Sequence, residues 1–282
     1  MMKKKQIEEY FFKYLTAVST YFLIALLAFI VYEIFVKGIP ALSWEVLSET
    51  PKGGFYFGKE GGILNAIVGS IYLALGASFI AFMVSLPIAM FINTDLIRFK
   101  KWQHFIRLVL DLLWGVPPIV YGAFGFALMI LFGMKASLLA GIITLTFLIS
   151  PIMTRAMDEV IRNVPRGLLE AAVSLGATRY EIVFKVMLRE SLPGIITAFL
   201  LGFAKAIGDT AAVLFTAGYT DYIPEKLSEP AATLPLAIFF QLGSPIAEVK
   251  ARAYASAVVL TFIILTISII SRLLSSRLSY KK

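Results

Sequence analysis

Apolar runs dominate this chain. Stretches near residues 15–36, 68–92, 114–133, 137–154, 193–216 and 253–274 are strongly hydrophobic. Each is close to or above the ~20 residues that cross a bilayer core as an α-helix. A backbone in lipid must pair its own N–H and C=O groups, so only helices or closed barrels are open to such a chain. No series of alternating ten-residue segments is present, which argues against a transmembrane barrel. The expected fold class is an all-α polytopic membrane protein with six transmembrane helices. Composition agrees, because 59% of residues are hydrophobic and 16% charged, whereas soluble domains are about 45–50% apolar.

The charged residues between the runs select an orientation. Lys3, Lys4, Lys5, Lys13, Arg98, Lys100, Lys101, Arg107, Arg155, Arg162, Arg166, Arg179, Lys185, Arg189, Arg272, Arg277, Lys281 and Lys282 fall on one side. They are eighteen of the 26 Lys and Arg residues, and seven fall on the other side, with Lys205 inside a span. Basic loops stay in the cytoplasm, so both termini are expected there, in a multi-pass protein of the cytoplasmic membrane. The net charge of +8 is read the same way, and no nucleic-acid partner is inferred from it. The first apolar run is too long for a signal peptide and lacks a following Ala-x-Ala site, so it is expected to be retained.

Catalytic signatures are missing. There is no cysteine and one histidine, His104, which reads as a solvated or interfacial side chain. The segment from Gly53 to Lys59 has the spacing of a phosphate-binding loop. Glu60 then stands where Ser or Thr should hold Mg²⁺, and three aromatics fill the cradle, so no ATP site is expected. No nucleophile–base arrangement, metal site or cofactor is expected either. Asp158 and Glu159 read as a solvated face of a cytoplasmic helix. Arg155, where that helix leaves the membrane, is either a snorkelling charge or an anion contact at the inner exit.

Between spans, Trp102 and Trp44 are placed at membrane interfaces. Residues 103–113 carry Arg107 and Asp111 at i,i+4 spacing and are expected to form a helix lying along the cytoplasmic interface. The run from Gly115 to Pro118 starts or kinks the third span. Residues 38–62 and 217–249 form two long outer loops that offer surface to an external partner.

Two segments point further. Residues 166–175 and 179–189 are expected to be helical pieces meeting at Gly176, where a left-handed turn costs glycine little. Ile182, Val183, Val186 and Met187 recur at helical spacing and offer an apolar face for docking. The run Glu170-Ala171-Ala172 followed three residues later by Gly176 resembles the EAA loop of ABC-importer permeases. Val186, Leu188 and Pro193 continue that pattern, and Arg189 departs from it where proline is usual. Inside the fifth span, Lys205 and Asp209 are four residues apart and pair on one helix face. Ionisable groups in a membrane are costly, so the two are either a self-neutralising pair facing the bundle interior or a site on a substrate path.

The segment Gly208-Asp209-Thr210-Ala211-Ala212-Val213-Leu214-Phe215-Thr216-Ala217 resembles the GETAPLLFTA element of the PstA-like permease family of phosphate-specific ABC importers. Asp209 stands for the usual Glu and Lys205 for the usual Arg. Gly61-Gly62-Ile63, the segment from Gly115 to Gly122, and the run from Thr233 to Leu236 extend the likeness over residues 60–245. The resemblance implies a MetI-like permease core with one extra N-terminal helix. It divides the chain into a tail, helix and outer loop at 1–62, a permease core at 63–276 with its coupling loop near 162–192, and a tail at 277–282. It implies that Glu170, Ala171, Ala172 and Gly176 contact an ATPase, and that Lys205, Asp209, Thr210 and Arg155 line a substrate path. Implied partners are a homologous permease, two ATP-binding subunits, an extracytoplasmic phosphate-binding protein and the lipid bilayer. The implied function is phosphate import by alternating access. Alternatives are a permease for another oxyanion such as molybdate or sulfate, and a membrane enzyme or scaffold without a transport role.

Overall fold

The computed structural model describes residues 2–52 and 60–279. The Gly53–Lys59 segment and the last three residues of the C-terminal tail lie outside the described residues. Helix α1 (Met2–Gly38) has 37 residues, about 55 Å at 1.5 Å per residue. Nearly all of it is exposed, and it meets the bundle at its C-terminal end. There Gly38 lies so close to the last long helix that an added Cβ would stand 2.5 Å from the Tyr254 carbonyl oxygen. A short helix α2 (Trp44–Ser48) follows, with Ser43 Oγ accepting from Val46 N–H at 3.2 Å. Strands β1 (Pro51–Lys52) and β2 (Glu60–Gly61) form one antiparallel two-residue ladder.

Helix α3 (Leu64–Thr94) turns small residues inward, with Ala74, Ala77, Ala81 and Ala89 fully buried. Small side chains let helices approach closely where no water drives association. Its main partner is α6 (Leu138–Arg162), and the two form the centre of the molecule. Leu73, Leu145, Ile149, Met153 and Met157 build the core between and around them. Pro87 in α3 and Pro151 in α6 do not end their helices. Near them Ser85 Oγ donates to the Ser150 carbonyl at 3.1 Å.

Between this pair, α4 (Lys100–Trp114) and α5 (Pro118–Leu131) meet at 94°. The expected third span therefore contains a corner. Its membrane arm α5 has 14 residues, about 21 Å, against the ~30 Å of a hydrocarbon core. Among the described residues, five helices are long and apolar enough to cross a membrane, or six when the bent pair is taken as one span. Exposed Trp102, Phe105, Leu108 and Leu112 give α4 the apolar side of an interfacial helix.

The chain then runs through α7 (Arg166–Ser174), α8 (Arg179–Glu181), a π-helical turn at Ile182–Met187 and α9 (Leu188–Ile207). The fifth span was expected to be helical to residue 216, but helix ends at Ile207. Helix α10 (Leu234–Leu242) and the long α11 (Ala247–Ser279) complete the fold. The loop between α9 and α10, expected to offer outer surface, is exposed at residues 225–228 but buried where it approaches α10. Ala231, Ala232, Leu234 and Leu236 are fully buried. The start of α6 explains this, because a helix N-terminus leaves several N–H groups without intrahelical partners. The loop supplies acceptors for them. Ser137 N–H donates to the Thr216 carbonyl at 2.9 Å, Leu138 to Glu229 at 2.7 Å and Leu139 to Leu227 at 2.9 Å. Helix α3 binds the other side through Asn65 Nδ2 on the Thr220 carbonyl (2.6 Å) and Ser70 Oγ, which accepts from Leu234 N–H (2.8 Å).

Candidate coupling hairpin and substrate path

The hairpin between α6 and α9 is built by local signals. Pro165 stops the previous turn from continuing and starts α7. Gly176 ends it at φ +77°, with Gly176 N–H bonded to the Val173 carbonyl (2.9 Å) and Ala177 N–H to the Ala172 carbonyl (3.0 Å). This is a Schellman ending, and it requires the left-handed residue to be glycine at low cost. Thr178 and Glu181 form a reciprocal capping box that restarts the helix. The second piece is not a separate helix ending at Arg189. It passes through the π-helical turn directly into α9, which makes the hairpin one end of a membrane span.

Glu170, Ala171 and Gly176 are exposed, and Ala172 is half-buried. The apolar face expected to dock a partner faces inward instead. Met187 is buried, and Ile182 and Val183 pack on the core. Exposed apolar side chains come from residues the sequence reading did not single out: Leu168, Val173, Leu175, Tyr180 and Phe184, with Leu175 89% exposed. Their signal was their proximity to the glycine turn, which leaves no neighbour to cover them.

At the far end of α9, Lys205 Nζ donates to Asp209 Oδ2 at 2.9 Å. The pair forms as expected, but not on one helix face, since Asp209 lies beyond the end of α9. It is held in a turn where its other oxygen, Oδ1, accepts from Ala212 N–H at 2.9 Å. The Asp209 side chain is 4% exposed and that of Lys205 is 41% exposed. A half-open ammonium is thus anchored by a buried carboxylate. Thr210 is half-buried beside them.

Arg155 is elsewhere, inside a polar cluster joining α3, α4 and α6. Asp158 is fully buried, so its expected place on a solvated face is wrong. Its Oδ1 accepts from Asn93 Nδ2 (2.8 Å) and Arg107 Nη2 (2.8 Å), and its Oδ2 from Arg107 Nε (2.9 Å) and Arg155 Nη1 (2.7 Å). Arg155 Nε also donates to Asp111 Oδ1 at 2.8 Å. Arg107 and Asp111, adjacent on one helix by spacing, both pair across to α6 instead. Arg155 is engaged by three carboxylates, Glu159 Oε2 lying 3.7 Å from its Nη1, which favours an internal ion-pair role over either a snorkelling charge or an open anion contact.

The inner-membrane component family of binding-protein-dependent transport systems matches residues 85–280. The chain belongs to this permease family. It is therefore a multi-pass inner membrane protein and a membrane component of a transport system. The phosphate transport system permease protein PstA of Haemophilus influenzae is 32% identical over 251 residues, covering 88% of this chain and 86% of that protein. The probable phosphate transport system permease protein PstA of Methanocaldococcus jannaschii is 31% identical over 271 residues, covering 93% and 92%. In fold, the chain is similar to the inward-facing MetNI methionine ABC transporter, with a TM-score of 0.63 at 20% identity over 77% of this chain and 95% of that one. The expected PstA-like recognition and the MetI-like permease fold both stand on these likenesses.

Proposed function

We propose that this permease carries inorganic phosphate across the cytoplasmic membrane as one subunit of an ABC importer. The observation that carries this reading is the near full-length likeness to phosphate permeases from bacteria and an archaeon. The exposed EAA hairpin supports ATP-binding subunits as partners, which contact Glu170, Ala171 and Ala172 and pivot at Gly176. A homologous permease, an extracytoplasmic phosphate-binding protein and cytoplasmic termini complete the proposal. Energy then comes from the ATPase subunits, and this chain supplies the path and the coupling.

In this reading Lys205 attracts the anion and Asp209 reads its protonation. Phosphate near neutral pH retains at least one proton, whereas sulfate and molybdate retain none. A carboxylate that accepts a phosphate O–H repels a fully ionised oxyanion, which separates the two by an unpaired charge. The Asp209–Ala212 hydrogen bond favours a second reading, in which Asp209 only anchors the turn and Lys205, and the binding protein sets selectivity.

The test is ATP-dependent uptake by the reconstituted complex, with phosphate and competing oxyanions. Phosphate uptake unaffected by excess sulfate or molybdate is expected, and transport of another oxyanion without phosphate would overturn the assignment. Asp209→Asn keeps an acceptor for Ala212 N–H but removes the charge. In a complex whose ATPase cycles without the binding protein, it should transport phosphate with weakened rejection of sulfate. Unchanged preference there leaves Asp209 as an anchor alone.

A further inference from the structure

The coupling hairpin is tied at its start to α4 and at its far side to the turn that links α3 to α4. At its start, the last turns of α6 hold Asp158 and Arg155, and these bind Arg107 and Asp111 of α4. At its far side, Arg179 Nη2 pairs with Asp95 Oδ1 at 2.9 Å, where Asp95 caps the end of α3 and opens the turn at Leu96–Arg98 that leads into α4. Helix α4 is also fastened to α3 by Gln103 Nε2 on the Ile92 carbonyl at 2.9 Å.

The corner beyond α4 is braced. Tyr121, in the first turn of α5, donates its hydroxyl to the Leu113 carbonyl at the end of α4 (2.9 Å). One residue further, Gly122 brings α5 against the turn that Asp209 holds. A Cβ at Gly122 would stand 2.8 Å from the Ala211 carbonyl oxygen and 3.0 Å from that of Ala212. Phe126 of α5 packs on Phe215 of the same loop, ring centres 6.0 Å apart. A contiguous path of hydrogen bonds, ion pairs and backbone contact therefore runs from the hairpin to the Lys205–Asp209 pair.

We infer that α4 and α5 form a bent lever that carries movement of the coupling hairpin to the Asp209 turn, with Asp95, Arg179 and Tyr121 as its positioning residues. The inference rests on the proposed function, since it assigns parts to ATP-driven transport. The two ties to the hairpin differ in strength. Asp158 is fully buried and bonded through both oxygens to Arg107 of α4, so α4 and the end of α6 are held together. The Asp95–Arg179 pair is about half exposed on both sides, and such pairs hold weakly enough to break and re-form. Contiguity alone does not demonstrate coupling, so the test measures coupling itself.

The experiment uses the complete reconstituted transporter and reads phosphate moved per ATP hydrolysed. Tyr121→Phe keeps ring packing and removes only the brace. Arg179→Ala removes one tie. Each should assemble and hydrolyse ATP in proteoliposomes at the wild-type basal rate, while phosphate per ATP falls several-fold. The double exchange Asp95→Arg with Arg179→Asp should restore the ratio lost in either single exchange, whereas a merely structural pair would lower uptake and hydrolysis together and leave the ratio unchanged in the single exchanges. An unchanged ratio in Tyr121→Phe and Arg179→Ala overturns the lever, and so does failure of the double exchange to restore the ratio. Absence of phosphate uptake by the wild-type complex would instead overturn the functional reading beneath it.

Discussion

Replacing Asp158 by alanine should be among the most damaging single changes in this protein. The side chain is fully buried and accepts four hydrogen bonds, three of them from two arginines. Arg107 depends on it most. Its side chain is 14% exposed, its fork sits on both carboxylate oxygens, and without Asp158 it retains only Asn93 Oδ1 at 3.1 Å. Arg155 retains Asp111. The change therefore strands about one buried guanidinium, a loss worth roughly 3–5 kcal/mol. At roughly 2–4 °C per kcal/mol for chains of this order of size, the midpoint of thermal unfolding should fall by about 6–20 °C. The assay is the fraction of detergent-solubilised protein that stays monodisperse after heating. Arg107→Lys should lie between wild type and Asp158→Ala, because an ammonium cannot span both oxygens. Arg107→Ala combined with Asp158→Ala should cost less than the sum of the two, by about 0.5–3 kcal/mol. A fall below about 2 °C for Asp158→Ala, or strict additivity in the double variant, would refute the reasoning.

Three further outcomes are expected. Gly69→Ala would place a Cβ 2.0 Å from the Ala232 carbonyl oxygen, so membrane-inserted protein should largely disappear. Gly76→Ala meets the flexible end of Ile142 at 2.7 Å and should accumulate normally, and equal yields of the two would contradict this packing account. Gly176→Leu forces a side chain into φ +77°, at a cost of about 1–2 kcal/mol. Together with Glu170→Ala it should leave the protein inserted and cut ATP-coupled uptake, and normal uptake with normal ATPase binding would remove the EAA assignment. Ser228, exposed in the loop between α9 and α10, should as Ser228→Cys react with a membrane-impermeant thiol reagent from outside the cell, and labelling only from inside would invert the topology.

Much of the coupling hairpin was legible because its determinants are local. The glycine in the left-handed region acts within a few residues and was read, whereas the equally local Thr178–Glu181 capping box and Pro165 were not singled out. The direction of the hairpin's apolar residues was not legible. Ile182, Val183 and Met187 follow a helical period, but periodicity does not say whether the covering surface belongs to the same chain or to a partner. The bundle core supplied the cover.

The Arg107–Asp111 spacing misled for a related reason. Pairs four apart on one helix gain only ~0.2–0.5 kcal/mol, so a buried bidentate partner on another helix displaces them. Asp158 on α6 is that partner. The end of α9 shows the same competition. Apolar character continues to residue 216 and reads as helix, yet the unpaired N–H groups at the start of α6 are met by the loop carbonyls of Thr216, Leu227 and Glu229.

The fold class, the number of apolar segments, the glycine-turned hairpin and the closeness of Lys205 to Asp209 can all be read from the order of residues. These follow from hydropathy, from backbone sterics and from separations of a few residues. Residues alone did not reveal the burial of Ala231 and Ala232 before α10, the pairing of Asp158 with two arginines, or the 94° angle of a corner whose place, from Gly115 to Pro118, the sequence already marks. The first two join residues far apart in the chain and satisfy buried polar groups that would otherwise lack partners, whereas the corner joins neighbours and is braced by the Tyr121 hydroxyl on the Leu113 carbonyl. The choice of distant partners belongs to the assembled bundle, because burial is a property no single segment has alone.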